Sequence, residues 1–221
     1  VSQSEKDKIA LFCSVSKECV IECRDMDTIY EVPLALEDQN LAQSVLKLLN
    51  CRTKTPNLKN WKDLVDKIKH PKNELTVALA GKYTELNDAY ISVVESLKHA
   101  GCAYDTKVKI KWLASEECSS DNKAKEMLKD VDALVVPGGF GFRGIEGKLN
   151  VIKYARENNL PFLGLCLGMQ CAVIEYARNV AGLKNANSTE FDEKTPYPVI
   201  DLMAEQKNIG GYGGTMRLGA Y

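Results

Sequence analysis

The stretch Pro161-Phe-Leu-Gly-Leu-Cys-Leu-Gly-Met-Gln170 indicates how the central part of this 221-residue chain folds. Its apolar run, residues 162–165, has the length and composition of a buried strand. Residues 169–178, with the sequence MQCAVIEYAR, have the pattern of a helix. The turn between them carries Cys166 in a G-x-C-x-G pattern, which is the thiol form of the strand-to-helix turn that exposes a nucleophile.

The surroundings of Cys166 favour a reactive thiol over the buried structural cysteine that a lone free cysteine usually is. Gly164 and Gly168 flank it, and a side chain at either position is expected to collide with the neighbouring strand and helix. The helix that follows points the positive end of its dipole at the sulfur, which favours the thiolate. The sequence therefore predicts that Cys166 is a nucleophile.

The composition is that of an ordinary globular domain, with 45% hydrophobic residues, 27% charged residues and a net charge of −1. This charge gives no electrostatic reason to expect a nucleic acid or a membrane as partner. No apolar run is long enough to span a bilayer, and the first residues lack the apolar core of a signal peptide. The eight cysteines match neither a disulfide framework nor paired zinc motifs, so we expect reduced thiols, no metal and a cytoplasmic location.

The first segment, residues 1–50, is too short to hold a core of its own. Residues 8–13 and 20–23 have the composition of short strands. Residues 34–50 carry apolar side chains at helical spacing. We expect this segment to be the tail of another domain or an appendage packed on the next one.

Residues 51–73 are predicted to form a linker, because they contain two prolines and many lysines. A short amphipathic helix around Trp61 is expected inside it. The natural domain boundary lies near residue 72. His70 falls in this polar stretch, where a solvated histidine is the simpler interpretation.

From residue 74 to residue 221, strands and helices alternate. The predicted strands are 75–79, 108–113, 133–136 and 162–165, and the predicted helices are 89–99, 123–128, 145–158 and 169–178. This order predicts an α/β fold: an open, mostly parallel sheet flanked by helices, with a flavodoxin-like core. His99 lies near the end of its helix, where a histidine interacts favourably with the helix dipole, so we assign it no catalytic role.

The turn Pro137-Gly-Gly-Phe-Gly141 follows a predicted strand, as Cys166 does. Ligands of open parallel sheets bind at the carboxyl ends of the strands, so both features are expected at one site. The turn lacks the spacing of a nucleotide-binding fingerprint. Its backbone instead suits an oxyanion hole, with the N–H groups of Gly139 and Leu167 as donors.

Four motifs together carry a family resemblance. Residues 164–170, GLCLGMQ, resemble the nucleophile turn of class I, triad-type glutamine amidotransferases. Residues 136–144 (VPGGFGFRG), 185–191 (NANSTEF) and 213–219 (GGTMRLG) narrow the resemblance to the CTP synthase family. The resemblance runs from about residue 8 to residue 219.

The resemblance implies a glutaminase domain at 74–221, incomplete at its C-terminus, preceded by the tail of a synthetase domain at 1–50. The implied enzyme is a ligase that forms a C–N bond. It hydrolyses glutamine through a cysteine thioester and supplies the ammonia for ATP-dependent conversion of UTP to CTP. No cofactor is implied for the glutaminase half. The whole enzyme would use ATP and Mg²⁺, with GTP as its activator. The implied partners are glutamine, the synthetase domain of the same polypeptide, and further copies in a homotetramer and in filaments.

The resemblance also assigns residues. Cys166 matches the nucleophile, and the glutamine-binding positions are Gly139, Leu167, Gly168, Met169, Gln170 and Glu190. A carboxylate such as that of Glu190 suits the α-ammonium group of glutamine. Arg143 matches the segment that responds to GTP, and Lys8 and Met26 would be remnants of the UTP and ATP sites.

The family's catalytic His and Glu belong to a motif beyond the position of Tyr221. A non-catalytic regulatory or assembly fragment is therefore an alternative to an active glutaminase. A further alternative is a peptidase-like or chaperone-like protein built on a related nucleophile turn. Gln170 and Glu190 argue against it, because such proteins need no site for a free amino acid.

Overall fold

The computed structural model describes residues 1–52, 56–82, 84 and 87–203. The helices in these residues are α1 (Gln3–Cys13), α2 (Val32–Glu37), α3 (Leu41–Leu48), α4 (Lys59–Lys69), α5 (Ile91–Ala103), α6 (Asp121–Met127), α7 (Ile145–Glu157) and α8 (Leu167–Asn179). The strands are β1 (Asn73–Gly81), β2 (Thr106–Ala114), β3 (Ala133–Val136), β4 (Phe162–Gly164), β5 (Asn187–Ser188) and β6 (Pro198–Ile200). The chain divides into two compact units, Val1–Lys72 and Asn73–Tyr221.

A four-stranded parallel sheet, in the order β2-β1-β3-β4, forms the centre of the second unit. Leu79 of β1 is paired with Trp112 on one side and Val135 on the other. Val136 at the end of β3 is paired with Gly164 at the end of β4. The predicted α/β fold with an open, mostly parallel sheet is confirmed. The short strands β5 and β6 form a separate parallel pair.

The main core packs helices α7 and α8 against the sheet. Leu134 and Val136 of β3, which has a strand on each side, are fully buried. Leu149 and Ile152 of α7 and Ile174 of α8 belong to the same buried cluster. Burying each such side chain contributes about 1.5–3 kcal/mol, so this cluster holds the carboxyl ends of β3 and β4 in place.

Helix boundaries in the second unit differ slightly from the predicted ones. Helix α5 continues past residue 99, its predicted end, through Gly101 to Ala103. A side chain at position 101 would overlap the Thr106 carbonyl oxygen, so this glycine serves helix–strand packing and not helix termination. Helix α8 begins at Leu167, two residues earlier than predicted. In the described residues no helix combines the length and apolarity needed to cross a bilayer.

The predicted strand at residues 8–13 is wrong, because this stretch lies in helix α1. Ser2 and Glu5 form a capping box, in which the Ser2 hydroxyl accepts from the Glu5 N–H and the Glu5 carboxylate accepts from the Ser2 N–H. The S-x-x-E spacing was the available signal for a helix start. The apolar run that suggested a strand is the continuation of that helix.

The predicted strand at residues 20–23 is also wrong, although its backbone is extended. The Gln39 side chain takes the place of a neighbouring strand. Its Oε1 accepts from the Glu22 N–H at 2.9 Å, and its Nε2 donates to the Glu22 carbonyl at 2.7 Å. A side-chain amide thus satisfies the backbone groups that a ladder would pair.

The helical spacing predicted over residues 34–50 is confirmed as the pair α2 and α3, which is interrupted at Asn40 with a φ of 59°. The amphipathic helix around Trp61 is confirmed as α4. The Trp61 indole donates to the Tyr30 carbonyl at 2.8 Å, so residues of the predicted linker pack on the first segment. Ala10 and Val65 are the buried apolar side chains recorded for this unit among the described residues.

Candidate active site

Cys166 occupies a strained turn between β4 and α8. Its backbone angles, φ 51° and ψ −106°, lie in a region that non-glycine residues rarely adopt, at a cost of about 1–3 kcal/mol. Parallel pairing with β3 holds the turn, because the Leu165 N–H donates to the Val136 carbonyl at 2.9 Å. The first turn of α8 closes it from the other side, where the Gln170 N–H donates to the Cys166 carbonyl at 3.1 Å. The thiol is exposed at the N-terminus of α8.

The two glycines that flank Cys166 are required by close backbone approach, as predicted. A Cβ at Gly164 would lie 2.6 Å from the Gly168 carbonyl carbon. A Cβ at Gly168 would overlap the Val136 carbonyl oxygen. Real Cβ contacts are not this short, so the tight turn that presents Cys166 depends on both glycines.

The glycine turn 137–141 lies beside the nucleophile, because β3 and β4 end side by side. A Cβ placed on Gly138 would be 3.5 Å from the Cβ of Cys166. A Cβ placed on Gly139 would be 3.5 Å from the Cδ2 of Leu167, an ordinary van der Waals contact. The structure thus brings the two features together at the carboxyl edge of the sheet, as the sequence predicts.

The predicted oxyanion donors are the backbone N–H groups of Gly139 and Leu167. Neither donates a hydrogen bond to any residue that the structure describes. Leu167 is the first residue of α8, where a helix leaves its N–H groups without intrahelical acceptors. Free N–H donors beside an exposed thiol are what acyl transfer requires, because they stabilise the oxyanion formed when a nucleophile attacks a carbonyl.

Glu190 lies at the same edge of the sheet. Its Oε1 accepts a hydrogen bond from the Gly141 N–H at 3.1 Å. The 187–191 segment is therefore joined to the glycine turn, although the two are about 50 residues apart in sequence. A carboxylate at this position puts a negative charge within the site that also contains Cys166. Its role in binding glutamine stays a prediction.

The other predicted site residues of this unit lie on the first turn of α8 and on the glycine turn. Met169 is 54% exposed and Gln170 is half-buried. The Arg143 guanidinium forms an exposed ion pair with Glu116, with 2.7 Å between Nε and Oε1. An exposed pair of this kind contributes little to stability, so Arg143 is available to a ligand at small cost.

Lys8 and Met26 belong to the first unit. Lys8 is exposed on α1, and Met26 is half-buried in the irregular segment that precedes α2. Their assignment to nucleotide sites stays a prediction.

The eight cysteines, all in the described part of the chain, are free thiols. Cys171, one turn into α8, is fully buried, and burial raises its pKa to about 11. Burial likewise raises the pKa of Cys118 to about 11. These two thiols therefore stay protonated at neutral pH.

No general base contacts the nucleophile among the residues that the structure describes, since the Cys166 thiol has no side-chain hydrogen bond there. His70 is exposed at the end of α4, in the first unit, and its Nε2 lies 3.9 Å from Oδ1 of Asp66. His99 is exposed on α5. The GGTMRLG motif at 213–219 lies outside the described residues.

Sequence reasoning missed two buried charged side chains, Lys148 on α7 and Glu175 on α8. For Lys148, the sequence did contain a signal that the side chain is buried. It stands on the same helical face as the buried residues Ile145, Leu149 and Ile152, where an apolar side chain is expected.

The parallel sheet and the strained cysteine turn agree with the predicted class of protein, the glutamine amidotransferases. The chain belongs to the class I glutamine amidotransferase family, whose model matches residues 85–221. Residues 1–51 match a second family model, that of the CTP synthase N-terminus.

Several proteins that are similar to this chain in sequence are named CTP synthase. The chain is 60% identical to a CTP synthase of Caldanaerobacter subterraneus over 99% of its length, and 56% identical to one of Methanocaldococcus jannaschii over 100%. A CTP synthase of Bacillus subtilis is 54% identical over 100% of the chain. The predicted resemblance is thereby confirmed. The chain spans about two fifths of the length of these relatives, 41%, 42% and 41% respectively.

A solved structure shares the fold. It is described as the Trypanosoma brucei CTPS glutaminase domain with bound acivicin. The match covers 62% of this chain and 53% of the other, with 39% sequence identity and a TM-score of 0.58. This similarity confirms the class I glutamine amidotransferase fold.

Proposed function

We propose that this chain supplies the glutaminase site of a CTP synthase, with Cys166 as nucleophile. The observation that carries the proposal is the juxtaposition of an exposed thiol on a strained turn with the unpaired N–H groups of Gly139 and Leu167. Glutamine is the substrate that the name of the matching family, class I glutamine amidotransferase, implies. Glu190 would bind its α-ammonium group, and Gln170 would hold the amino acid or the acyl intermediate through its amide.

The reaction follows from these groups. The Cys166 thiolate attacks the side-chain amide carbon of glutamine, a C–S bond forms, and the carbonyl electrons move onto oxygen. The Gly139 and Leu167 N–H groups stabilise that oxyanion. When it collapses, the C–N bond breaks and the nitrogen leaves as ammonia after it gains a proton. Water then hydrolyses the thioester to glutamate and regenerates the thiol.

The whole enzyme's chemistry extends the proposal. The ammonia would serve the ATP- and Mg²⁺-dependent conversion of UTP to CTP in the synthetase domain of the same polypeptide. Lys8 and Met26 would be the residues of this chain nearest to that chemistry, and Arg143 would respond to GTP as activator. The groups of this chain in the glutaminase steps are the Cys166 thiol and the Gly139 and Leu167 N–H groups, and we propose no cofactor for these steps. Assembly into a homotetramer and filaments, and a cytoplasmic location, complete the proposal.

Acivicin, the compound bound in the Trypanosoma brucei glutaminase domain, provides a direct test. Incubation of the chain with acivicin should add one adduct by intact mass, and peptide mapping should locate it on Cys166. Glutamine in excess should protect the thiol. Labelling spread over the exposed Cys13, Cys23 and Cys51, or no protection by glutamine, would contradict the proposal.

A non-catalytic regulatory or assembly role is a second candidate. It is favoured by the lack of a histidine or carboxylate against the Cys166 thiol in the described residues. General acid–base catalysis typically contributes about 10²–10⁴-fold, so a site without a base is slow. Glutamate formation by the chain as given, compared with a version extended past Tyr221, separates the two. Equal turnover would show that the base lies within the chain.

A further inference from the structure

Lys148 is a buried lysine beneath the glycine turn. It stands in the first turn of α7 and is 2% exposed. Its Nζ lies 3.9 Å from the position that a Cβ on Gly139 would occupy. No hydrogen-bond acceptor or ion-pair partner is recorded for it among the residues that the structure describes.

This arrangement is costly in the resting protein. Burial is the main cause that lowers the pKa of Lys148, and repulsion by Lys82 acts in the same direction. The N-terminal end of α7 adds the positive end of a helix dipole. An ammonium buried without an acceptor is destabilising, and none is recorded for Lys148 in the described part of the chain. Packing therefore does not account for the charge.

Glu175, the other buried charge of this helix pair, shows how a structural charge is satisfied here. Its carboxylate is 1% exposed and accepts from Nε and Nη2 of Arg156 at 2.8–3.1 Å. The Asn179 amide donates to the same carboxylate at 3.1 Å. Lys148 has no equivalent partners in the described chain.

We propose that Lys148 is a positioning residue whose buried ammonium provides a fixed positive charge behind the oxyanion hole formed by Gly139 and Leu167. The inference rests on the proposed function. A negative charge forms in the oxyanion hole only when the nucleophile attacks the substrate. The Lys148 ammonium then attracts this oxyanion, and the interaction is strong because the protein interior between them has a low dielectric constant. The role is purely electrostatic: no proton moves to or from Lys148, and no bond to it forms or breaks.

The test compares Lys148→Met with Lys148→Arg in the complete glutamine-dependent enzyme. Lys148→Met should lower kcat for glutamate formation by about tenfold, less than the ~10²–10³-fold of losing a direct donor. KM for glutamine should stay within twofold. Lys148→Arg, which keeps the charge, should recover part of kcat.

Two further readouts separate this role from a structural one. Removing the buried charge should raise the Tm of Lys148→Met by about 3 °C, because the desolvation cost is lost. Alkylation of Cys166 by iodoacetamide, which forms no oxyanion, should change by less than twofold. Lys153→Met is the matched control, since Lys153 lies on the same helix but pairs with Asp121 at the surface. It should leave kcat unchanged.

Four results would overturn the inference. These are an unchanged kcat in Lys148→Met, a rise in KM at constant kcat, a fall in Tm, or equal losses in glutaminase and alkylation rates. The second result would make Lys148 a ligand of the substrate carboxylate instead. Failure of the proposed function is distinguishable, because the wild-type enzyme would then form no glutamate at all.

Discussion

The two ends of helix α8 differ in whether the polar groups beside them have hydrogen-bond partners. At its N-terminal end, Cys166 is strained and exposed, the Leu167 N–H is unpaired, and the buried Lys148 has no acceptor in the described residues. Towards its C-terminal end, the Glu175 carboxylate is paired with Arg156. Strain and unsatisfied groups concentrate at functional sites, and packing that merely supports a fold satisfies its groups. We therefore expect the chemistry at the N-terminal end.

The largest expected effect is at the nucleophile. Cys166→Ser should lower glutamate formation in the complete enzyme by about 10⁴-fold or more, the scale of removing a nucleophile, because a hydroxyl is not activated in this turn. Its Tm should change by only about 1–2 °C, since the side chain is exposed.

Cys171→Ala, five residues along the same helix, is the matched control. It removes a buried sulfur and should cost about 1 kcal/mol of stability while kcat stays within about twofold. Substantial turnover in Cys166→Ser would contradict the nucleophile assignment.

The second effect is a loss of stability when the buried ion pair towards the C-terminal end of α8 is broken. Arg156→Met leaves the Glu175 carboxylate buried without its main partner, which should cost about 3–5 kcal/mol of unfolding free energy. Adding Glu175→Met to the same chain should restore most of that loss. Chemical denaturation measures both.

Lys123→Met is the control, because it breaks the exposed pair between Lys123 and Glu126 and should cost less than about 0.5 kcal/mol. If Arg156→Met is equally mild, the buried pair does not hold the helices together.

The third effect compares the two thiols of the α8 region directly. At pH 8, a thiol with a pKa of about 11, such as Cys171, is thiolate to roughly one part in 10³. Burial slows its reaction further, so iodoacetamide should label Cys166 at least ~100-fold faster.

Because the pKa of Cys171 is raised, its labelling should increase as pH rises towards 11, and the ratio should shrink. Quantitative peptide mapping at pH 7 to 10 follows this. Equal rates at pH 8 would show that α8 opens on the labelling timescale.

The smallest effect concerns Glu190. Glu190→Gln keeps an oxygen that can accept from the Gly141 N–H but removes the charge opposite the expected α-ammonium group. KM for glutamine should rise about tenfold, or about 1.4 kcal/mol, with kcat little changed. Glu193→Gln, at an exposed position three residues on, should leave KM unchanged. A fall in kcat without a change in KM would show that Glu190 positions the glycine turn and does not bind substrate.

Much of the second unit was predictable, because strand length, helical periodicity and the glycine pattern are local signals. The parallel sheet, the turn at Cys166 and its closeness to residues 137–141 follow from them. The first unit was predicted less well. At residues 8–13 an apolar run was mistaken for a strand, because the signal for a helix lay in the cap at Ser2, outside the run.

The sequence by itself determined the turn that carries the predicted nucleophile, since the close packing of strand and helix around Cys166 requires glycine at positions 164 and 168. Only the tertiary structure showed which charges are satisfied. Glu175 and Lys148 are both charged residues in amphipathic helices, and nothing local distinguishes them. Whether a buried charge has a partner depends on residues brought from elsewhere by the fold, as Arg156 is brought to Glu175. This long-range pairing distinguishes Glu175, whose charge supports the fold, from Lys148, to which we assign a role in the chemistry.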